Sequence, residues 1–265
     1  MINLGMFIGY RLHSNQNISN VPVDMFDTIQ KHYLNTVDAS SLEVNTIRDL
    51  LSHLDGISTF NKENVIDELE KLKGKVTLTS YKINNQVFYI KLSSITEGAY
   101  RLFAKSVDSL TALGINKLIF DLRSVGGDSY EDAIEIVDEF LSEDKLITYT
   151  QGAHSKRKEY RCKRTGLFEQ GELVILIDAK TCGPSEVICS SFKEWERGKL
   201  LGETTMGRAI VTKNFRMGNG YVLSIPTDRY YTPNGKCIGK INKSGKGNGI
   251  SPDAPLSMKD LLNQL

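Results

Sequence analysis

A chain of 265 residues is long enough for one large domain, or for a domain with a smaller appendage. Its composition, 40% hydrophobic and 25% charged, is that of an ordinary globular protein, and a formal net charge of +1 gives no field that would draw nucleic acid or an anionic membrane. The basic clusters Lys156-Arg157-Lys158 and 240–246 therefore read as solvated loops. The four cysteines, Cys162, Cys182, Cys189 and Cys237, match no zinc or CxxC spacing and read as small core residues, so neither a metal nor a cofactor is expected. The apolar N-terminus, residues 1–10, falls short of the roughly 20 residues that span a bilayer. It lacks the basic region and cleavage site of a complete signal peptide, and reads as the end of an upstream anchor or as a terminal strand or helix.

Taken in order, residues 23–34 place Val23, Phe26, Ile29, Tyr33 and Leu34 at helical spacing. Asp38 or Ser40 can cap a second helix carrying Leu42, Ile47, Leu50, Leu51 and Leu54, which Asp55-Gly56 ends. Residues 61–73 form a third amphipathic stretch, closed by Gly74. Residues 1–74 thus read as a helical N-terminal region and 75–265 as a separate core. From Lys75 the period changes. Residues 76–83 and 86–92 read as strands, 100–113 as a helix, 117–122 as a buried strand, 128–141 as a helix and 146–150 as a strand. A polar, basic loop or hairpin over 152–165 precedes a strand at 173–177 and a helix at 185–195. A short strand at 199–201 and a hairpin over 214–226, centred on Gly218-Asn219-Gly220, follow. Alternating strands and helices predict an α/β core of βαβ units.

One stretch organises the rest. Residues 173–187, LVILIDAKTCGPSEV, run from a buried strand through a small-residue turn into a helix start. Such a turn can present a nucleophile, because helix-start N–H groups favour developing negative charge.

Several motifs then fall into a familiar order. Asp121-Leu122-Arg123-Ser124-Val125-Gly126-Gly127 resembles the D-L-R-x-N-x-G-G turn of the C-terminal processing peptidases, or tail-specific proteases. Gly202 to Arg208 resembles that family's G-E-x-T-F-G-K, Arg229 to Gly235 its R-Y-Y-T-P-x-G, and Gly249 to Asp253 its G-I-x-P-D. Upstream, residues 33–58 resemble its helical lead-in. The resemblance implies a ClpP/crotonase-like α/β peptidase core, a mixed sheet with flanking helices, preceded by a small helical region.

Three departures stand out. Family members usually carry a PDZ domain between lead-in and core, whereas only residues 74–89 remain here, far below the roughly 50 residues of a small domain. Laid on the family's S-A-S-A-S-E, Thr181-Cys182-Gly183-Pro184-Ser185-Glu186 puts Gly183 at the nucleophile and Arg208 at the general-base lysine. Glycine has no side chain to attack with, and an arginine guanidinium keeps its proton near neutral pH. In the family, the backbone N–H after the nucleophile and one from the Gly-Gly turn make the oxyanion hole. Pro184 has no N–H to give, while Gly126 and Gly127 remain. Together these changes read as a pseudo-peptidase.

Ser185 is the alternative nucleophile of an active serine endopeptidase with a rearranged centre, against the simpler reading of a helix-start serine beside Glu186. Cys182 lacks a base placed by sequence, and His13, His32, His53 and His154 give no catalytic signal. Glu194 takes the place of the family's supporting acid, and a salt bridge to Arg208 is expected. The expected partners are a peptide or unfolded protein segment, and a second copy through the N-terminal helices. The resemblance also implies a periplasmic or membrane-associated setting, the latter through an upstream anchor.

Overall fold

The computed structural model describes residues 39–53, 57–72, 74–217, 220–239 and 247–256. The helix expected at 23–34, the stop at Asp55-Gly56, the centre of the 214–226 hairpin and the basic run 240–246 lie outside them. The chain divides into two compact units, one of residues up to 72 with 214–225, the other of 73–213 with 226–265.

The smaller unit holds helix α1 (Ala39–Ser52), strand β1 (Thr59–Lys62) and helix α2 (Glu63–Leu72). Strand β1 pairs antiparallel with Tyr221 to Ser224, and Phe60 stacks on Tyr221 at 4.7 Å between ring centroids. Strand β1 takes over the expected start of the third helix at residue 61. The pairing that holds it is non-local, and local periodicity carries no trace of it.

The larger unit is built on a sheet of strands β2 (Leu78–Lys82), β3 (Val87–Leu92), β4 (Lys117–Asp121), β7 (Glu172–Ile177) and β8 (Lys199–Gly202), in the order β2-β3-β4-β7-β8. Strand β2 runs antiparallel to β3, and the other pairs are parallel. The strand runs at β4 and β7 are apolar without alternation because both faces of a parallel sheet are covered. One face packs on helices α3 (Ala99–Ala112), α4 (Tyr130–Asp138) and α5 (Pro184–Glu194), through Phe103, Phe120, Phe140, Phe192, Ile175 and Ile188. The other face gathers Val87, Ile119, Val174, Leu176 and Leu201 beneath Tyr89, Ala254 and Leu256. Helix α4 is shorter than the 128–141 span expected. Ser129 caps its start, and its end gives way where Glu139 turns to accept Leu167 N–H and the Arg164 guanidinium.

Strand β5 (Leu146–Gln151) pairs with β6 (Lys158–Arg161), so the basic stretch after residue 152 is a hairpin. Strands β9 (Ile210–Arg216) and β10 (Tyr221–Tyr231) extend well beyond the hairpin expected at 214–226, and β10 pairs with β5 through Arg229 to Tyr231. Among the described residues, the span from 74 to 86 forms strand β2 and its turn. This is the mixed-sheet α/β core that the sequence predicts.

Candidate active site

Three turns leave the carboxyl ends of neighbouring parallel strands: 122–127 after β4, 178–183 after β7 and 203–209 after β8. The crevice outside those ends is where open α/β sheets place their ligands. Hydrogen bonds join the turns directly. Cys182 N–H donates to Val125 O at 3.2 Å, Met206 N–H to Thr181 O at 2.9 Å, and Thr181 Oγ1 to Leu122 O at 2.8 Å.

The first turn stands on Asp121, whose side chain is buried at the end of β4. Its carboxylate accepts Arg123 N–H at 3.0 Å, two Arg123 guanidinium bonds at 2.9 and 2.6 Å, and the Tyr89 hydroxyl at 2.7 Å. Lys91 Nζ approaches it at 3.6 Å and donates to Arg123 O. Burial by itself raises the Asp121 carboxyl, but Arg123, Tyr89 and Lys91 outweigh it and hold it below the ordinary carboxylate range. Replacing Asp121→Asn leaves those cations facing an amide, and is expected to cost about 3 kcal/mol near neutral pH. A group depressed in the folded state contributes stability above its unfolded value, near 4, and loses it as pH falls through the folded value. Urea unfolding of the two proteins should therefore show a gap that closes below about pH 4; a gap constant with pH contradicts this account.

The second turn is the elbow. Asp178 Oδ1 accepts Thr181 N–H at 2.9 Å and Ser124 N–H at 2.9 Å, locking it to the first turn. Gly183 follows at φ 62° and ψ −122°, a conformation that suits glycine and resembles the strained strand-to-helix turn on which hydrolases hold a nucleophile. A Cβ built there would lie 3.4 Å from Gly127 O and 3.6 Å from Tyr130 Oη, so the space for a side chain exists. Pro184 occupies the first helical position of α5, where its missing N–H costs the helix nothing.

Glu186 ties the elbow to the third turn. Its buried carboxylate accepts Gly183 N–H at 3.0 Å, Arg208 N–H at 2.7 Å, the Thr205 hydroxyl at 2.6 Å and Gly207 N–H. Burial pushes the Glu186 carboxyl up, against the pull of these four donors. The sequence marked Glu186 only as a helix-start acid, and its position three residues after the turn was the available signal of a reach-back to Gly183. Tyr130 gave no sequence signal at all. It stacks on Tyr230 at 4.1 Å, its hydroxyl accepts Ile210 N–H at 3.2 Å, and burial raises that hydroxyl well above its ordinary range.

The sequence-derived positions fall as follows. Gly126, Gly127, Gly183, Pro184 and Arg208 converge on this crevice, with Arg208 exposed and its backbone held by Glu186. Ser185 is fully buried, and among the described residues its Oγ has no hydrogen-bond partner, so none of their His, Lys or carboxylate groups is in place to activate it. The expected Glu194–Arg208 ion pair is not formed among the described residues. Glu194 Oε2 instead accepts Asn234 N–H at 2.6 Å, in the turn that follows β10, and the acid is used to fix that turn. The Cys182 thiol is pushed up by burial and by Glu186, with Arg208 countering, which leaves it a poor nucleophile. His53 Nδ1 lies 2.8 Å from Asp49 O on its own helix end, and His154 is exposed. Asp253 accepts Leu200 N–H at 2.8 Å and pairs with Lys193 at 3.3 Å, anchoring the 250–256 segment.

One backbone donor of the first turn faces the elbow. Ile95 donates to Gly126 O at 2.7 Å and accepts Asp128 N–H at 3.1 Å, so both flanking groups of the parallel bridge turn toward Ile95. By strand alternation the N–H and C=O of Gly127 face the other side, toward Gly183. Among the described residues that N–H has no hydrogen-bond partner.

A family model described as peptidase family S41 matches residues 86–256. The chain belongs to that family. Its relatives include C-terminal processing peptidases. The chloroplastic carboxyl-terminal-processing peptidase 2 of Arabidopsis thaliana is 27% identical over 172 residues, covering 64% of this chain and 32% of that protein. The carboxy-terminal-processing protease of Bartonella bacilliformis is 21% identical over 250 residues, covering 89% of this chain and 56% of that protein. The chain thus spans about a third of the first relative's length and just over half of the second's. Among solved structures, a photosystem II D1 C-terminal processing protease superposes with a TM-score of 0.60 at 20% identity, over 69% of this chain and 48% of its own, which establishes a shared fold. No described helix of this S41 chain is long and apolar enough to cross a membrane.

Proposed function

We propose that this S41 chain is a non-catalytic member that binds peptide or unfolded protein segments, laying them in extended form beside a strand edge at the crevice. The observation that carries the reading is Gly183: the turn keeps a nucleophile-presenting geometry but has no side chain on it. Pro184 removes the neighbouring oxyanion donor, and the already protonated Arg208 guanidinium stands at the general-base position, unable to take up a proton. Loss of one oxyanion donor alone lowers a rate roughly 10²–10³-fold, and nucleophile and base are missing as well. The active-centre alternative built on Ser185 is disfavoured by that residue's burial and lack of a base.

Incubation with unfolded casein tests the reading. The expected result is retention of intact casein over many hours, together with a measurable association by anisotropy. Turnover that disappears on Ser185→Ala would overturn it. The same reading carries an extracytoplasmic or membrane-associated setting and self-association through the N-terminal region. Sedimentation at high concentration checks the latter, and a monodisperse monomer counts against it.

A further inference from the structure

We propose that the vacated elbow is a carboxylate site, in which an anionic group takes the space left by the missing nucleophile and is held by Gly127 N–H, the Tyr130 hydroxyl and the Arg208 guanidinium. The inference rests on the non-catalytic, peptide-binding reading and names the chemistry that the crevice selects.

Two donors without acceptors among the described residues face that space, and a cation stands on the backbone beside it. Gly127 N–H faces the elbow, because Gly126 O and Asp128 N are both committed to Ile95 on the opposite side. Tyr130 Oη lies 3.6 Å from the Cβ position of Gly183; it accepts Ile210 N–H, and among the described residues its own hydrogen has no acceptor. Arg208 is exposed and forms no ion pair among the described residues, yet its backbone is pinned beside the elbow. Glu186 Oε2 takes both Arg208 N–H and Gly183 N–H. Its positive field reaches Cys182, the residue before Gly183, where it opposes the upward push on the thiol.

Among the described residues, only Gly127 O and Tyr130 Oη lie within 4 Å of the Gly183 Cβ position apart from the chain neighbours, which leaves room there for a ligand. Gly127 O faces the same space and repels an anion, which makes the cation decisive. A guanidinium in place of a lysine amine suits that task, since its planar fork meets a carboxylate through two parallel bonds and stays charged. The carboxylate can come from a peptide C-terminus, from an aspartate or glutamate side chain, or from a small free acid.

Isotope-labelled protein titrated with four probes separates these sources: acetate, N-acetyl-trialanine as the free acid, its C-terminal amide, and an N-acetyl-Ala-Asp-Ala amide. The free acid is expected to shift the Gly127 amide resonance and to bind about tenfold more tightly than the amide, the worth of one charge-assisted bond. Arg208→Gln should abolish that preference, and Tyr130→Phe, which keeps the stack on Tyr230, should reduce it. An aspartate-containing amide that binds like the free acid assigns the side-chain source, and acetate that binds equally well assigns a small acid. Equal binding of free acid and amide overturns the carboxylate site while peptide binding stands. Absence of binding by every probe overturns both, and cleavage of any probe overturns the non-catalytic reading and with it the site that rests on it.

Discussion

The variant carrying Gly183→Ser, Pro184→Ala and Arg208→Lys together is expected to gain covalent reactivity toward a fluorophosphonate at position 183, on the order of 10³-fold or more above the parent chain. The elbow has the room: a Cβ at 183 meets its nearest non-adjacent atoms at 3.4 and 3.6 Å, which is ordinary contact. The backbone there is strained for any residue but glycine, at φ 62°, and the substitution should cost about 1–3 kcal/mol of stability. Each change restores a different element: a nucleophile, an N–H beside it, and an amine that can release its proton. Because such groups act as a unit, each single variant should stay near background. Intact-mass spectra of the five proteins (parent, triple variant and three single variants) after equal exposure to the probe give the comparison. A labelled Gly183→Ser single variant would mean that a base other than residue 208 is already in place.

Glu186→Ala is expected to be the most destabilising single change at the site, by about 4 kcal/mol. One buried carboxylate accepts the backbone N–H groups of Gly183, Gly207 and Arg208 and the Thr205 hydroxyl, and truncation strips all four of their acceptor at once. In a unit of this size that corresponds to a fall in Tm of roughly 10 °C. The loss should be local as well as global: amide exchange at Gly207 and Arg208 should accelerate more than exchange in β4 or β7. A Tm within 2–3 °C of the parent chain contradicts the role assigned to Glu186.

What the chain order revealed and what it hid divide along physical lines. The buried strands at Lys117–Asp121 and Glu172–Ile177 were legible because parallel strands covered on both faces are apolar runs bounded by turns. The small-residue turn at 181–185 was legible as an elbow for the same reason. Strand β1 was hidden, since Thr59–Lys62 becomes a strand only by pairing with Tyr221 to Ser224, far away in sequence. The place of Glu194 was misread because spacing says which acids lie near a site but not where each carboxylate points; here it points to Asn234 N–H. Tyr130 was hidden because an aromatic at a helix start is usually core, and only the fold brings its hydroxyl to Gly183. The proposed emptiness of the centre rests instead on residue identity: no fold can give glycine a side chain or proline an N–H.

The most direct test of that emptiness is the intact mass of the unmodified chain after prolonged exposure to a fluorophosphonate. The protein is expected to keep its mass, under conditions that label the triple variant. An adduct on the parent chain that maps to Ser185 and vanishes on Ser185→Ala would contradict the account, because it would show a working nucleophile in the position where the structure leaves Oγ buried and without a base.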